Sequence, residues 1–193
     1  MRLISRILSS LLLSVIFFHD SLAKNLDSRL SIGAGYYNFL KNGYLEEQYG
    51  VPGGVFQSSN SRDSLAYNLE LYPSSKYKVF GFLQPNFGFI GTHQESFYSY
   101  LGLGADLYFG RKKNLVLYPN FAVGYMAGDQ NDIQLGFPLE FKSGIDFLYR
   151  FRNEVRIGAG VYHISNAALG EHNTHGTRNP GTEILMLKYQ IPF

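Results

Sequence analysis

The chain contains no cysteine and no tryptophan. Without thiols it can form no disulfide and can offer no thiolate to a metal or a substrate. It also has no marked excess of either charge, with 17 basic and 15 acidic residues among 193. A near-neutral chain gives no electrostatic footprint for nucleic acid. Beyond the N-terminal region there is no apolar run long enough to cross a bilayer as a helix. What is abundant is phenylalanine and tyrosine, which make up the whole of a 16% aromatic content. That is high for a soluble domain and suits a protein that meets a membrane interface.

The first residues have their own pattern. Arg2 and Arg6 precede an apolar run from Ile7 to Phe18, and Ser21-Leu22-Ala23 places small residues where a signal peptidase reads. The run is too short to span a membrane. Residues 1–23 are therefore expected to be a secretory signal and residues 24–193 a single domain. Removing the signal takes away two arginines and Asp20, leaving 15 basic and 14 acidic residues.

The rest of the chain alternates with a period of two, the mark of strands. Leu30, Ile32, Ala34 and Tyr36 form the first run, and Leu65, Tyr67, Leu69 and Leu71 the second. A less regular third extends from Val79 to about Ile90. The fourth takes in Phe97, Leu101, Leu103, Ala105, Leu107 and Phe109, and the fifth Leu115, Leu117, Phe121, Val123 and Tyr125. The sixth holds Phe137, Leu139, Phe141, Ile145 and Phe147, the seventh Ile157, Ala159 and Val161. The eighth holds Leu185, Leu187, Tyr189, Ile191 and Phe193. Short connections, as at Pro73–Lys76, Arg111–Asn114 and Arg152–Glu154, alternate with mostly longer ones at Lys41–Ser64, around His93, at Gln130–Gly136 and at Ala168–Thr182.

Eight such runs predict an all-β fold, an eight-stranded antiparallel transmembrane β-barrel of the outer membrane. The opposite faces of the runs carry glycine, asparagine and charges such as Glu70, Asp106, Glu140, Lys142, Asp146 and Arg150. A soluble ligand-binding barrel would turn the apolar face inward. An eight-stranded barrel has room inside for little more than side chains, and this apolar set is too bulky for it. In lipid the apolar set points out and the small and polar set points in. The inward charges then have to be paired, which reads as a structural ion network. Gly-x-Gly spacings at Gly33/Gly35, Gly102/Gly104 and Gly158/Gly160 fall inside strands. They lack the strand-to-helix turn of a nucleotide loop and instead let a narrow barrel close.

One row of outward residues ends oddly. Ile157, Ala159 and Val161 are followed on the same face by His163 and Ser165, and Glu183 shares the outward parity of Leu185 and Leu187. With short turns at the periplasmic side, all three reach the external end of two neighbouring strands. A serine hydroxyl becomes a useful nucleophile when a base takes its proton. A histidine supplies that base at neutral pH, and a carboxylate fixes its tautomer and balances the imidazolium. The bland alternative is three polar residues at a membrane interface.

The segment HISNAALG, then NPGTE, and the ending KYQIPF resemble the lipid A 3-O-deacylase family of outer-membrane barrels, the PagL type. The resemblance covers about the last thirty residues. It implies a hydrolase that cuts an ester-linked acyl chain of lipid A, with no cofactor and no metal. It assigns Ser165 as nucleophile, His163 as base and Glu183 as orienting acid, all facing the outer leaflet. It gives Asn166 and Ala168 to an oxyanion hole and Asn179 to shaping the loop before the acid. Ala168 stands where the family has glycine, and the loop between Asn166 and Asn179 is longer than the family pattern.

Within that loop Glu171, His172 and His175 raise the question of a metal, but their spacing fits no helical zinc motif. His172, His175 and Arg178 are alternatively contacts for lipid A phosphates, or the loop is a plain solvated one. The C-terminal strand, closing on Phe193, resembles the signal that outer-membrane proteins present to their insertion machinery. Lipopolysaccharide, the outer membrane and that machinery are the implied partners, with the protein a monomer or homodimer and no role for nucleic acid. The alternative function is a non-catalytic barrel with a structural or adhesion role, its long first loop serving recognition.

Overall fold

The computed structural model describes residues 27–40, 64–128, 132, 135, 137–167, 179 and 181–193. The expected secretory signal, Ala168 and the loop residues Glu171, His172, His175 and Arg178 lie outside this set. Eight strands form the barrel: β1 Arg29–Tyr37, β2 Ser64–Tyr72, β3 Gln84–Thr92, β4 Phe97–Gly104 resuming at Leu107–Phe109, β5 Leu115–Ala127, β6 Leu139–Arg150, β7 Arg156–Ser165 and β8 Thr182–Pro192. Each pairs antiparallel with the next, and β1 pairs with β8 to close the sheet on itself.

The gap in β4 has a local cause. The register is unchanged across it, with Gly104 opposite Asn120 and Leu107 opposite Leu117. Ala105 N–H still donates to the Pro119 carbonyl at 3.1 Å. Pro119 has no N–H to return, so the ladder loses one bond there.

Two predicted boundaries move. The third run begins as a strand only at Gln84. Val79 and Leu83 instead close a tight turn, exchanging backbone bonds of 2.9 and 3.0 Å, with Phe80 and Gly81 at positive φ. The turn after β2 therefore spans 73–83, longer than its sequence suggested. The connection around His93 is in turn short: Thr92 N–H reaches the Ser96 carbonyl at 2.9 Å and β4 begins at Phe97.

The barrel thus has a terminal end, where Phe193 N–H bonds the Ser28 carbonyl at 3.0 Å, and a loop end, where β7 leads over to β8. At the terminal end Asp27 receives Ser74 Oγ at 3.1 Å and the Ser75 N–H at 2.9 Å. The Ser75 hydroxyl holds its carboxyl below the ordinary aspartate range.

Outward side chains are apolar along every strand, including Leu69, Leu101, Phe121, Phe147, Ile157 and Leu187, all exposed. A soluble monomer does not tolerate an apolar surface of that extent, so this wall faces lipid. Among the described residues no helix is long and apolar enough to cross a membrane.

Inside, Glu70, Asp106, Lys142 and Asp146 are ion-paired as expected, whereas Arg150 pairs with exposed Glu154 at the turn after β6. Lys188 lies between Glu70 and Asp146, with its Nζ 2.9 Å from Asp146 Oδ2, and Lys142 reaches Glu70 Oε1 at 3.1 Å. Nearer the terminal end Asp106 takes Arg156 at 2.7 Å and Arg29 at 3.3 Å. The lumen is less small and polar than its alternation implied. Tyr98, Tyr100, Tyr162, Ile164, Ile184 and Met186 belong to one buried apolar cluster. Glycines make room for these rings: a Cβ on Gly144 would stand 2.4 Å from Tyr162 Cδ1.

Candidate active site

The parity of β7 and β8 is what the alternation predicted. His163 and Ser165 face out while Tyr162 and Ile164 are buried; Glu183 faces out between buried Thr182 and Ile184. The register then makes His163 and Glu183 direct cross-strand partners. Opposed side chains on one face of an antiparallel pair stand close enough to bond. Here His163 Nδ1 lies 3.0 Å from Glu183 Oε1. A carboxylate only accepts, so Nδ1 carries the proton and Nε2 is left as the basic nitrogen. The histidine side chain is 45% exposed and the glutamate 18%, so the acid is the more shielded of the two.

Gly181 fixes the other edge of the ring. Its φ is +69°, and a Cβ there would stand 2.6 Å from His163 Cε1 and 3.1 Å from Nε2. Only glycine meets both conditions without strain. The last rung between β7 and β8 is Ile164–Thr182, so Gly181 stands abreast of Ser165, one step beyond the ladder. The Nδ1–Cε1–Nε2 edge of the imidazole therefore faces Glu183 and Gly181. Ser165 is half-buried and sits opposite Phe141, whose ring stacks on Phe121 at 5.8 Å. Apolar side chains thus flank the hydroxyl on the lipid face.

Asn166 is buried directly after Ser165, and Ala167 follows at φ +51°. This left-handed residue ends the strand and turns the chain away at the point where an oxyanion hole was expected. Ala168, the second expected donor, lies outside the described residues. Asn179 sits across the rim, where its Oδ1 accepts the Gly181 N–H at 2.7 Å. Its amide nitrogen donates to both carboxylate oxygens of Glu140, at 2.8 and 3.1 Å. The metal question centred on Glu171, His172 and His175 falls outside the described residues; among those described, no three histidines or carboxylates group as ligands.

Sequence reasoning passed over Ser143 and Gly181 here and read Glu140 only as an inward charge. Ser143 lies on the outer face of β6, directly opposite His163 on the side away from Glu183. Its odd parity within the sixth run was the available signal. Gly181 and Glu140 act through φ and a long-range bond, for which the sequence holds no local sign. Two shallow grooves in the lipid-facing wall, of about 570 and 370 Å³, meet at Ile157 and Gly158. Neither is lined by His163, Ser165 or Glu183, so they are not part of this site.

Glu183→Gln keeps the shape but removes the charge. An amide can hold the wrong imidazole tautomer and cannot balance an imidazolium. If the pair acts as a base unit, turnover is expected to fall about 10⁴-fold, the loss that the acid-to-amide change costs in a serine-protease triad. Turnover equal to the parent across neutral pH would remove Glu183 from the unit.

A closed eight-stranded barrel, lipid-facing outside and ion-paired within, defines this protein's class: a transmembrane barrel of the outer-membrane type. Among solved structures it is similar to the outer membrane enzyme PagL, with a TM-score of 0.54, 17% identity, and 86% of this chain and 99% of that one covered. A de novo designed transmembrane β-barrel matches with a TM-score of 0.50, 9% identity, and 89% and 100% covered. No curated protein matches the sequence. The sequence matches the PagL family, lipid A 3-O-deacylase, over residues 64–192. The chain belongs to that family.

Proposed function

We propose that the protein is an outer-membrane esterase that hydrolyses the 3-O-linked acyl chain of lipid A, with Ser165, His163 and Glu183 as its catalytic unit. The observation that carries this reading is the His163–Glu183 bond of 3.0 Å on the lipid-facing wall, one step from a serine on the same row. Family membership supplies the substrate class. The ester of an outer-leaflet glycolipid lies at the depth where the apolar wall gives way to polar loops, and the loop end would face that leaflet.

The chemistry follows from the side chains. His163 Nε2 takes the proton from Ser165 Oγ, which attacks the ester carbonyl carbon. The charge forming on the carbonyl oxygen would be met by the N–H groups of Asn166 and Ala168 that the family resemblance assigns, each such donor being worth about 10²–10³ in rate. The imidazolium, balanced by Glu183, returns its proton to the departing sugar oxygen, leaving an acyl-serine. A water then gives its proton to His163 and attacks the acyl carbon; the bond to Ser165 Oγ breaks, His163 returns the proton to Oγ, and the fatty acid leaves. Phe141 and the apolar wall below it would lodge the acyl chain.

Refolded protein incubated with lipid A in detergent is expected to yield a species lighter by one hydroxy fatty acid, read by mass spectrometry. Lipid A of unchanged mass, with folding shown by heat-modifiable gel mobility, would overturn the proposal. Ser143 offers a sharper internal control. It is also a serine beside His163, but it lies on β6, across from the β8 side that holds Glu183 and Gly181. Ser143→Ala is expected to keep activity within a few-fold of the parent. A collapse as deep as that of Ser165→Ala would reassign the nucleophile.

A further inference from the structure

The Asn179 side chain spans two environments. Its amide nitrogen holds a carboxylate, Glu140, that is fully buried in the lumen. Its carbonyl oxygen holds Gly181, which lies against the imidazole on the outer wall. The crossing happens at the barrel rim, where the β7–β8 ladder ends at Ile164–Thr182. A lumenal group can therefore act on a lipid-facing one there, and nowhere further down the wall.

His163 needs such support. Glu183 fixes one nitrogen, but a single hydrogen bond leaves the ring free to tilt about it, and the side chain is nearly half exposed. A base must hold its place within about 0.5 Å, and a displacement of about 1 Å can cost 10²-fold in rate. Gly181 is the contact that blocks the tilt, and its position depends on Asn179.

We infer that Glu140 is a positioning residue for the reaction on the outer wall: it anchors Asn179, Asn179 holds Gly181, and Gly181 sets the tilt of the His163 ring. This rests on the reading of His163 as the general base. Glu140 touches no substrate, so its loss should lower kcat and leave KM alone. Glu140→Gln retains one carbonyl acceptor for the Asn179 amide and should restore most of what alanine removes.

The test is a double-mutant cycle on lipid A deacylation with the full refolded chain, using Glu140→Ala, Asn179→Ala and the pair. Each single variant is expected to lose 10- to 100-fold in kcat, in line with the cost of a misplaced catalytic group, with KM within two-fold. The pair should be no worse than the more defective single, because both break one chain of contacts. Glu140→Gln should stay within a few-fold of the parent. If Glu140→Ala does not fold, Asn179→Ala and Gly181→Ala carry the test, since neither empties the lumen. Gly181→Ala drives a methyl into the ring and should lose at least 100-fold in kcat. Folded single variants with parental kcat would overturn the inference, as would additive losses, a rise in KM alone, or a Gln variant as poor as alanine. Parent protein that leaves lipid A intact removes the functional reading and this inference with it. Active parent beside an equally active Glu140→Ala removes this inference alone.

Discussion

Ser165→Ala is expected to leave a folded barrel with essentially no deacylation of lipid A, a fall of about 10⁴-fold or more by comparison with serine hydrolases stripped of their nucleophile. Ser165 occupies the last position of β7, half-buried, opposite Phe141. Replacing its hydroxyl removes one oxygen and opens no cavity in the lumen, since the side chain is on the outer face. The backbone pairing of β7 is untouched. What disappears is the atom proposed to attack the ester. The remaining unit, with His163 still bound to Glu183, can at most activate a water that has no defined seat. A non-catalytic barrel would register no functional change at all. The measurement is the rate of appearance of the lighter lipid A species, with heat-modifiable mobility run on the same samples. A folded Ser165→Ala protein that deacylates at the parental rate would dissolve the proposed unit, whatever the geometry of His163 and Glu183.

The placing of these three residues on one patch was legible because lipid enforces a strict alternation. A wall that faces hydrocarbon rejects a slip of one residue, which would turn every leucine into the lumen. Parity could therefore be read from Ile157 to Ser165 and from Glu183 to Phe193 without knowing the register. The register itself was hidden. It depends on how residues 166–181 bridge two strands, and nothing local says that His163 meets Glu183 rather than a neighbour two positions away. Ser143 was missed for the same reason, since its nearness to His163 is a fact of β6 against β7.

The third strand misled because Val79, Phe80 and Phe82 are apolar. Phe80 at φ 51° and Gly81 at φ 77° instead bend that segment into a turn with both phenylalanines exposed. The apolar upper lumen was obscured by its own composition: Ile164 sits between outward His163 and Ser165, and Ile184 follows outward Glu183, inverting the pattern at the site. The Glu140–Asn179 bond joins residues 39 apart and leaves no trace in any local pattern.

Lys188→Met should be the most damaging lumenal substitution, costing about 3–5 kcal/mol of stability, the range for removing one partner of a buried ion network. Lys188 is fully buried on β8, with Nζ bound to Glu70, to Asp146 at 2.9 Å and to Tyr72 Oη at 3.2 Å. Methionine fills nearly the same volume, so packing is not the issue. The two carboxylates fare differently once the ammonium is gone. Glu70 keeps Lys142 at 3.1 Å and the hydroxyls of Tyr72 and Tyr100 at 2.8 and 2.5 Å. Asp146 keeps only the Tyr162 hydroxyl among the bonds that reach it, and a hydroxyl cannot neutralise a buried charge. The damage should therefore be concentrated at Asp146. Adding Asp146→Asn to Lys188→Met is expected to recover most of the lost stability, because Glu70 and Lys142 remain a matched pair. The midpoint of urea unfolding in detergent, followed by gel mobility, checks both variants. A double variant no more stable than Lys188→Met would place the loss in the packing of β8 against its neighbours instead of in the stranded charge.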